Sequence, residues 1–321
     1  MKAKTNPLIA LRNIIQHNSS RATPLSKSNG TMNKRGDSLE YFIKDMFCPE
    51  AQSYPYADMK EIVYVKSLSW TGDSSHFPDM IVRNGVGVET KEIEGDVHGA
   101  VALNSSYPKD FIDPSTQNIP PQDLDPKRPE KKTMHEDTKN WDRKPIIYAV
   151  GNIKKNDPNK QIISLWLAYG DTMVPCNAYY KQLIQKFRDA IKSLNANVTL
   201  QSNSKELARA KGIDRLKRTN LRARGMYELM HPAKIFANYL QDIKVPANKS
   251  QIYLIMLESD YQQIKHDMGQ EWNALHQEFE QYIAQNKLIE KQINIPNPNY
   301  NPKSKDIRKE LPARLFIAFT D

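Results

Sequence analysis

Apolar residues return every three or four positions in GDSLEYFIKDMF, residues 36–47. Leu39, Phe42, Ile43, Met46 and Phe47 therefore share one helical face, behind an Asp37 able to cap it. The same spacing sets Tyr180, Leu183, Ile184, Phe187, Ile191 and Leu194 in one stripe over 177–194, and a weaker version runs through LIALRNIIQ, residues 8–16. Other segments are short apolar runs rich in β-branched and aromatic residues, which predicts strands. These are EIVYVKSLSW (61–70), FPDMIV (77–82), VGVETKEI (86–93), PIIYAVGNI (145–153), QIISLWLAYG (161–170), QIYLIMLES (251–259) and ARLFIAF (313–319). Asn84-Gly85 folds the second run back on the third, and NDPNK separates the fourth from the fifth. A long polar helix is predicted over roughly 259–290, followed by a Pro/Asn loop.

Between these elements lie a polar, basic linker (17–35) and a long loop region (104–145) rich in Pro, Asp, Ser and Lys. Loops of that size inside a domain are usually functional or mobile. The order helix, three strands, loop, two strands, helix predicts an α/β or α+β body. Its central mixed sheet would be flanked by helices, with further α/β elements toward the C-terminus. On this reading the chain divides into an N-terminal helix and linker (1–35), a core (36–200), and recognition and C-terminal elements (201–321) packed on that core as one unit.

Length and charge narrow the function. The 321 residues suffice for one large domain or two ordinary ones. A formal net charge of +9 points to an anionic partner, nucleic acid ahead of an acidic membrane surface. No run approaches the roughly 18 apolar residues that span a bilayer. The start, MKAKTNPLIALRNIIQHNSS, lacks a long apolar core and a small-residue cleavage site, so it reads as an amphipathic helix and the protein as cytoplasmic. Cys48 and Cys176 match no zinc spacing and read as reduced thiols.

The hairpin carries the candidate chemistry. In VETKEI, side chains alternate faces, so Glu89 and Lys91 point the same way about 7 Å apart. Pairing through Asn84-Gly85 brings Asp79 to the neighbourhood of Glu89. Two converging carboxylates repel unless a cation sits between them, and Mg²⁺ takes such ligands together with water and substrate phosphate. Lys91 beside that ion would orient the attacking water or offset charge on the phosphate. The plain alternative is a solvated edge hairpin bearing a Glu–Lys pair.

Pro78-Asp79 followed by Glu89-Thr90-Lys91 resembles the PD-(D/E)xK nuclease core. LNSSYPKD (103–110), WDRKPIIYAVGNI (141–153), LWLAYGD (165–171) and above all TNLRARGMYELMHP (219–232) resemble a family of type II restriction endonucleases whose familiar member cuts GGCC. The similarity spans roughly 36–240 and leaves the last 80 or so residues unplaced. It implies a restriction-endonuclease-like fold and Mg²⁺-dependent, sequence-specific hydrolysis of double-stranded DNA that leaves 5′-phosphate ends. Mn²⁺ is the expected substitute, a homodimer matches a palindromic target, and a DNA methyltransferase is the functional counterpart. Asp79 and Glu89 become the expected metal ligands, with the Thr90 carbonyl a third and Lys91 the catalytic lysine. Glu40 has two readings: an extra active-site carboxylate, or the reciprocal member of a capping box with Asp37.

DNA contacts are expected in two places. Within KELARAKGIDRLKRTNLRARG eight Lys or Arg face only Glu206 and Asp214, a density suited to several phosphates. Arg215, Lys217 and Arg218 fit that role. Arg222 and Arg224, parallel in an extended segment beside Asn220, suit guanine O6 and N7. A solvated basic helix surface is the alternative. Asn104, Ser105, Ser106 and Lys109 closely follow the metal strand and would hold phosphates or read base edges, unless they only form a turn.

Overall fold

Asn6 starts the first helix by accepting from the backbone N–H groups of Leu8 and Ile9, both at 3.0 Å, with Pro7 at the first position, and Asn18 ends it at φ +49°. This is α1 (Pro7–His17) of a computed structural model that describes residues 3–22, 24–28, 37–104, 106–116, 118–120, 134–136, 143–194, 207–304 and 307–321. There follow α2 (Asp37–Phe47), α3 (Ala57–Tyr64), β1 (Leu68–Trp70), β2 (Met80–Val82), β3 (Gly87–Glu94), β4 (Val101–Asn104) and β5 (Phe111–Ile112). The middle of the chain forms β6 (Lys144–Ile153), β7 (Ile162–Tyr169), α4 (Asn177–Leu194), β8 (Ala208–Ala210), β9 (Leu221–Ala223), β10 (Tyr227–Leu229) and the single-turn α5 (Pro232–Ile235). The chain closes with β11 (Ser250–Leu257), α6 (Glu258–Met268), α7 (Glu271–Ala284), β12 (Leu288–Pro296) and β13 (Glu310–Thr320).

Among the described residues, nine strands form one mixed sheet in the order β1-β2-β3-β6-β7-β11-β13-β12, with β5 on the start of β6. The pairs β3–β6 and β7–β11 are parallel and the others antiparallel. The expected α/β body with a central mixed sheet flanked by helices is what forms. Period-two alternation splits the core into two layers. Ile147, Ala149 and Ile153 of β6 join α1, α2, α6 and α7 on one face, while Ile146, Tyr148 and Val150 face the other, beneath Trp70, Phe77, Leu103, Leu229 and Phe236. The β4–β10 and β8–β9 ribbons are separate from the main sheet.

Three expectations need correcting. EIVYVKSLSW is not one strand: its first half completes α3, which buries Ala57, Lys60, Val63 and Tyr64 at helical spacing and leaves Ile62 exposed, and only Leu68–Trp70 is extended. The segment 259–290 is not one helix. Gly269 at φ +59° ends α6, α7 runs on from Glu271, and the chain is already in β12 at Leu288. Tyr261, Trp272, Leu275 and Phe279 then cover the sheet from two helices. The 104–145 loop region begins inside β4 and contains β5, although 121–133 and 137–142 lie outside the described residues.

Candidate active site

The β2–β3 ladder pairs Ile81 with Gly87 and Met80 with Val88, so the next rung sets Asp79 across from Glu89. Met80 and Val88 point into the layer under α1 and α2, whereas Ile81 and Ile93 belong to the other layer. Alternation therefore sends Asp79, Glu89 and Lys91 together to that second face. Lys91 Nζ lies 2.6 Å from Glu89 Oε1, and Asp79 Oδ2 accepts from Thr90 N at 2.7 Å. A strand residue's N–H and C=O share one edge, so the Thr90 carbonyl also faces the margin where Asp79 stands. Glu92, on the opposite face, pairs with Lys160 at 2.8 Å.

The electrostatics are those of crowded acids. Burial, then the Glu89 carboxylate, pushes Asp79 up to about 7 against the pull of Lys91. Burial alone would lower Lys91, but Glu89 and Asp79 outweigh it and hold the ammonium above its ordinary value, so it stays charged. Two carboxylates and a strand-edge carbonyl fit a hard ion that keeps much of its water, and an incoming cation would relieve the repulsion that raises Asp79. Among the described residues there is no group of three or more His, Cys, Asp or Glu able to hold a metal ion.

Glu40 reaches the same margin from α2. Its Oε1 lies 2.7 Å from Lys44 Nζ, and Lys44, fully buried, also donates to the Thr71 carbonyl at 2.7 Å. Gly72 is wedged between the two elements: a Cβ there would sit 3.1 Å from Glu40 Oε1 and 2.4 Å from the Asp79 carbonyl oxygen. The Asp37 side chain, on which the capping-box reading depends, lies outside the described residues. Lys44 and Gly72 escaped the sequence reading. Lys44 did leave a signal, a lysine beside Ile43 on the apolar side of a helix and four residues after Glu40.

One of the segments expected to touch DNA packs on the same sheet face as this site, through Leu103, Tyr227 and Leu229. β4 pairs with β10, Asn104 opposite Tyr227 and Ala102 opposite Glu228, which joins two segments over a hundred residues apart in sequence. The Asn104 side chain and all of Ser105 lie outside the described residues. Lys109 is buried: its ammonium donates to Ser106 Oγ at 2.5 Å and the Tyr107 carbonyl at 3.0 Å, 4.2 Å from the Phe77 ring centre. Burial lowers it to about 8, with Glu89 acting in the other direction. Its backbone N–H donates at 2.7 Å to the hydroxyl of Tyr148, the residue beside Glu89 in the sheet. The basic segment is a β-hairpin in place of a helix, with Arg215, Lys217 and Arg218 exposed at its tip. Asp214 holds that tip by accepting from Leu216 N at 2.8 Å and Arg218 N at 3.0 Å, and Asn220 Oδ1 accepts from Gly212 N at 3.1 Å. Arg222 and Arg224 are exposed on either side of the half-buried Ala223.

A family model described as NgoPII restriction endonuclease matches residues 5–294. Type II restriction enzyme NgoPII of Neisseria gonorrhoeae is 30% identical over 280 residues, which cover 86% of this chain and 88% of that protein. The class is therefore type II restriction endonuclease, a site-specific deoxyribonuclease that binds double-stranded DNA and, as such enzymes generally do, uses a divalent metal. The chain belongs to the NgoPII restriction endonuclease family. No solved structure matches it. The match reaches beyond the 36–240 span of the sequence motifs and takes in α1, α6, α7 and most of β12. No helix among the described residues is long and apolar enough to cross a membrane.

Proposed function

We propose that this restriction endonuclease is a Mg²⁺-dependent enzyme of PD-(D/E)xK type, with Mn²⁺ as a substitute, whose active site is the free margin of β3. The observation that carries the reading is the convergence of Asp79 and Glu89 with a charged Lys91 on one face of the β2–β3 hairpin. Asp79, Glu89 and the Thr90 carbonyl would hold the ion. When bound, it offsets charge on the phosphate and eases deprotonation of water. The Lys91 ammonium donates to the attacking water or a phosphate oxygen and stabilises charge that builds during attack. Water adds to phosphorus, the bond to the 3′ oxygen breaks, and the products carry 5′-phosphate and 3′-hydroxyl ends. Glu40, held by Lys44, orients the water or its protons from the α2 side. Lys109 supports Ser106 and the Glu89 neighbourhood from beneath.

Arg215, Lys217 and Arg218 contact phosphates from the hairpin tip, while Arg222 and Arg224 face the bases, with Asn220 near them in sequence and Asn104 paired with Tyr227 of the same segment. A GGCC target follows from the family resemblance. A palindrome suits a two-fold homodimer, and the half-exposed Leu183 and Phe187 of α4 give it an apolar surface. The enzyme would act in the cytoplasm beside a methyltransferase that protects the same site. Digestion of a plasmid of known sequence with and without Mg²⁺, followed by end mapping, tests the whole reading. Discrete 5′-phosphate fragments only with metal are expected, whereas retarded but intact DNA would make the chain a binder.

A further inference from the structure

From Arg222 to Met230, through β9, β10 and the residues between them, exposure alternates without a break. Arg222, Arg224, Met226, Glu228 and Met230 are exposed, while Ala223, Gly225, Tyr227 and Leu229 turn inward. Leu229 and Tyr227 pack with the second core layer, and a Cβ on Gly225 would lie 3.0–3.1 Å from Leu207 and Tyr227. The outward set is therefore fixed by burial of the inward one. Glu228 thus belongs to the outward set together with the two arginines. Its cross-strand neighbour is Ala102, which is also exposed and offers no cation to pair with.

A carboxylate with no cationic partner among the described residues is repelled by phosphates, so its presence on a surface that meets them calls for a donor on the DNA. In the major groove the exposed donors are cytosine N4–H₂ and adenine N6–H₂. Adenine sets its donor beside the N7 acceptor, which suits an amide side chain. A carboxylate only accepts, and cytosine presents a donor alone. The guanine of the same base pair shows the O6 and N7 acceptors that an arginine takes. Two-stranded ribbons such as β4–β10 fit that groove. Four extended residues span at most about 13 Å, so Arg224 and Glu228 lie within reach of one four-base-pair site at about 3.4 Å per step.

We infer that Glu228 is a specificity-determining residue whose carboxylate accepts from the exocyclic amine of a cytosine in the target. Arg222, Arg224 and Glu228 together then read G·C pairs by both partners. This rests on the reading of Arg222 and Arg224 as base contacts, and the test below separates the two.

The experiment uses a duplex oligonucleotide carrying the mapped site, in which each cytosine is replaced in turn by 2-pyrimidinone, the same ring without the 4-amino group. Cleavage is measured as kcat/KM for wild type, Glu228→Gln and Glu228→Ala, with thermal unfolding to confirm that each variant is folded. Glu228→Ala should lose roughly ten- to hundredfold on the natural site, the range of one base contact. Wild type should lose a similar factor at one analogue position, and there the alanine variant should lose little more. Glu228→Gln, which keeps an acceptor, should fall between them. The inference is overturned if the mapped site contains no cytosine, if Glu228→Ala cuts like wild type, or if its loss multiplies with the analogue's at every position. If Arg222→Ala and Arg224→Ala abolish specific cutting while Glu228→Ala does not, the role of Glu228 alone falls. If none of the three affects cutting, the recognition face itself is misassigned.

Discussion

Gly72→Ala should disable cleavage without touching a charged group. Gly72 sits at φ +84°, on the left-handed side of the map, where an alanine costs about 1–2 kcal/mol. Its Cβ would lie 2.4 Å from the Asp79 carbonyl oxygen, against the 3.4 Å at which ordinary contact begins, so about 1 Å must be recovered. Backbone cannot rotate away as a side-chain tip can, and the displaced peptide is that of the proposed metal ligand. Glu40 Oε1, only 3.1 Å from the same Cβ, must also give way, although as a side-chain tip it can do so more easily. A misplacement of about 1 Å in a reacting constellation costs on the order of a hundredfold in rate. Single-turnover cleavage of a duplex should therefore fall by about that factor. Binding of the same duplex without Mg²⁺, read by fluorescence anisotropy, should change little because the recognition ribbons are elsewhere. Gly99→Ala, where a Cβ meets nothing within 4 Å, is the control and should cut normally. A folded Gly72→Ala enzyme that cuts within threefold of wild type would refute the idea that the position of Asp79 limits the reaction.

Asp79→Ala and Lys91→Ala should each abolish cleavage while a gel shift still detects the specific complex; near-normal cutting by either variant removes that residue from the mechanism. The triple change Arg215→Ala, Lys217→Ala, Arg218→Ala should flatten the dependence of log K on log salt by about 2.7, roughly 0.9 per lost phosphate contact, and an unchanged slope would show that the hairpin tip does not touch DNA. Elsewhere in the sheet, at the end of β7, Asp171 is pushed well above the ordinary carboxylate range by burial and by Asp260, itself raised by burial. A raised folded-state value means that this pair favours folding fully below the unfolded value near 4, and that the contribution is lost as pH rises through the folded value. Asp171→Asn keeps a donor toward Asp260 and removes one titration. It should raise stability at pH 8 by about 1–2 kcal/mol and flatten the fall in Tm between pH 5 and 8; parallel curves for the two proteins would rule out the pair as the source.

Where a pattern was local, the sequence displayed the fold plainly. The Asn84-Gly85 turn, with Asn84 at φ +56°, fixed the register of β2 on β3 within a dozen residues. The apolar bursts at 145–153 and 161–170 are adjacent strands because the short connection through NDPNK leaves them little other choice. Periodicity failed where a short helix and a short strand shared one apolar run. Ile62, Val63 and Val65 look like a strand, yet the backbone of 57–64 is helical because Ala57, Lys60 and Tyr64 repeat on one buried side. Tertiary burial overrode β-propensity there. The single glycine at 269, which divides α6 from α7, was visible as a letter and could not be weighed without knowing that both halves must bend over the same sheet.

The candidate site divides along the same line. Asp79, Glu89 and Lys91 were legible because one hairpin holds all three, and alternation within it decides which way they point. Lys44, Tyr148 and Lys109 meet them only through contacts between segments distant in sequence. Tyr148 stands beside Glu89 because β6 docks parallel to β3, a choice that neither strand announces. Lys109 shows the consequence. Its charge and its place shortly after β3 marked it as a DNA contact, but the ring of Phe77 and the hydroxyl of Tyr148 draw it inward. A lysine there costs desolvation, which lowers it to about 8, and the hydroxyl of Ser106 and carbonyl of Tyr107 recover part of that cost. An ionisable group buried against a cost is kept where its position matters more than its charge. Lys109 closes the turn after β4 by holding Ser106 and the Tyr107 carbonyl, and its backbone N–H reaches Tyr148 beside Glu89, so one buried residue links the proposed recognition ribbon to the sheet next to the proposed metal site.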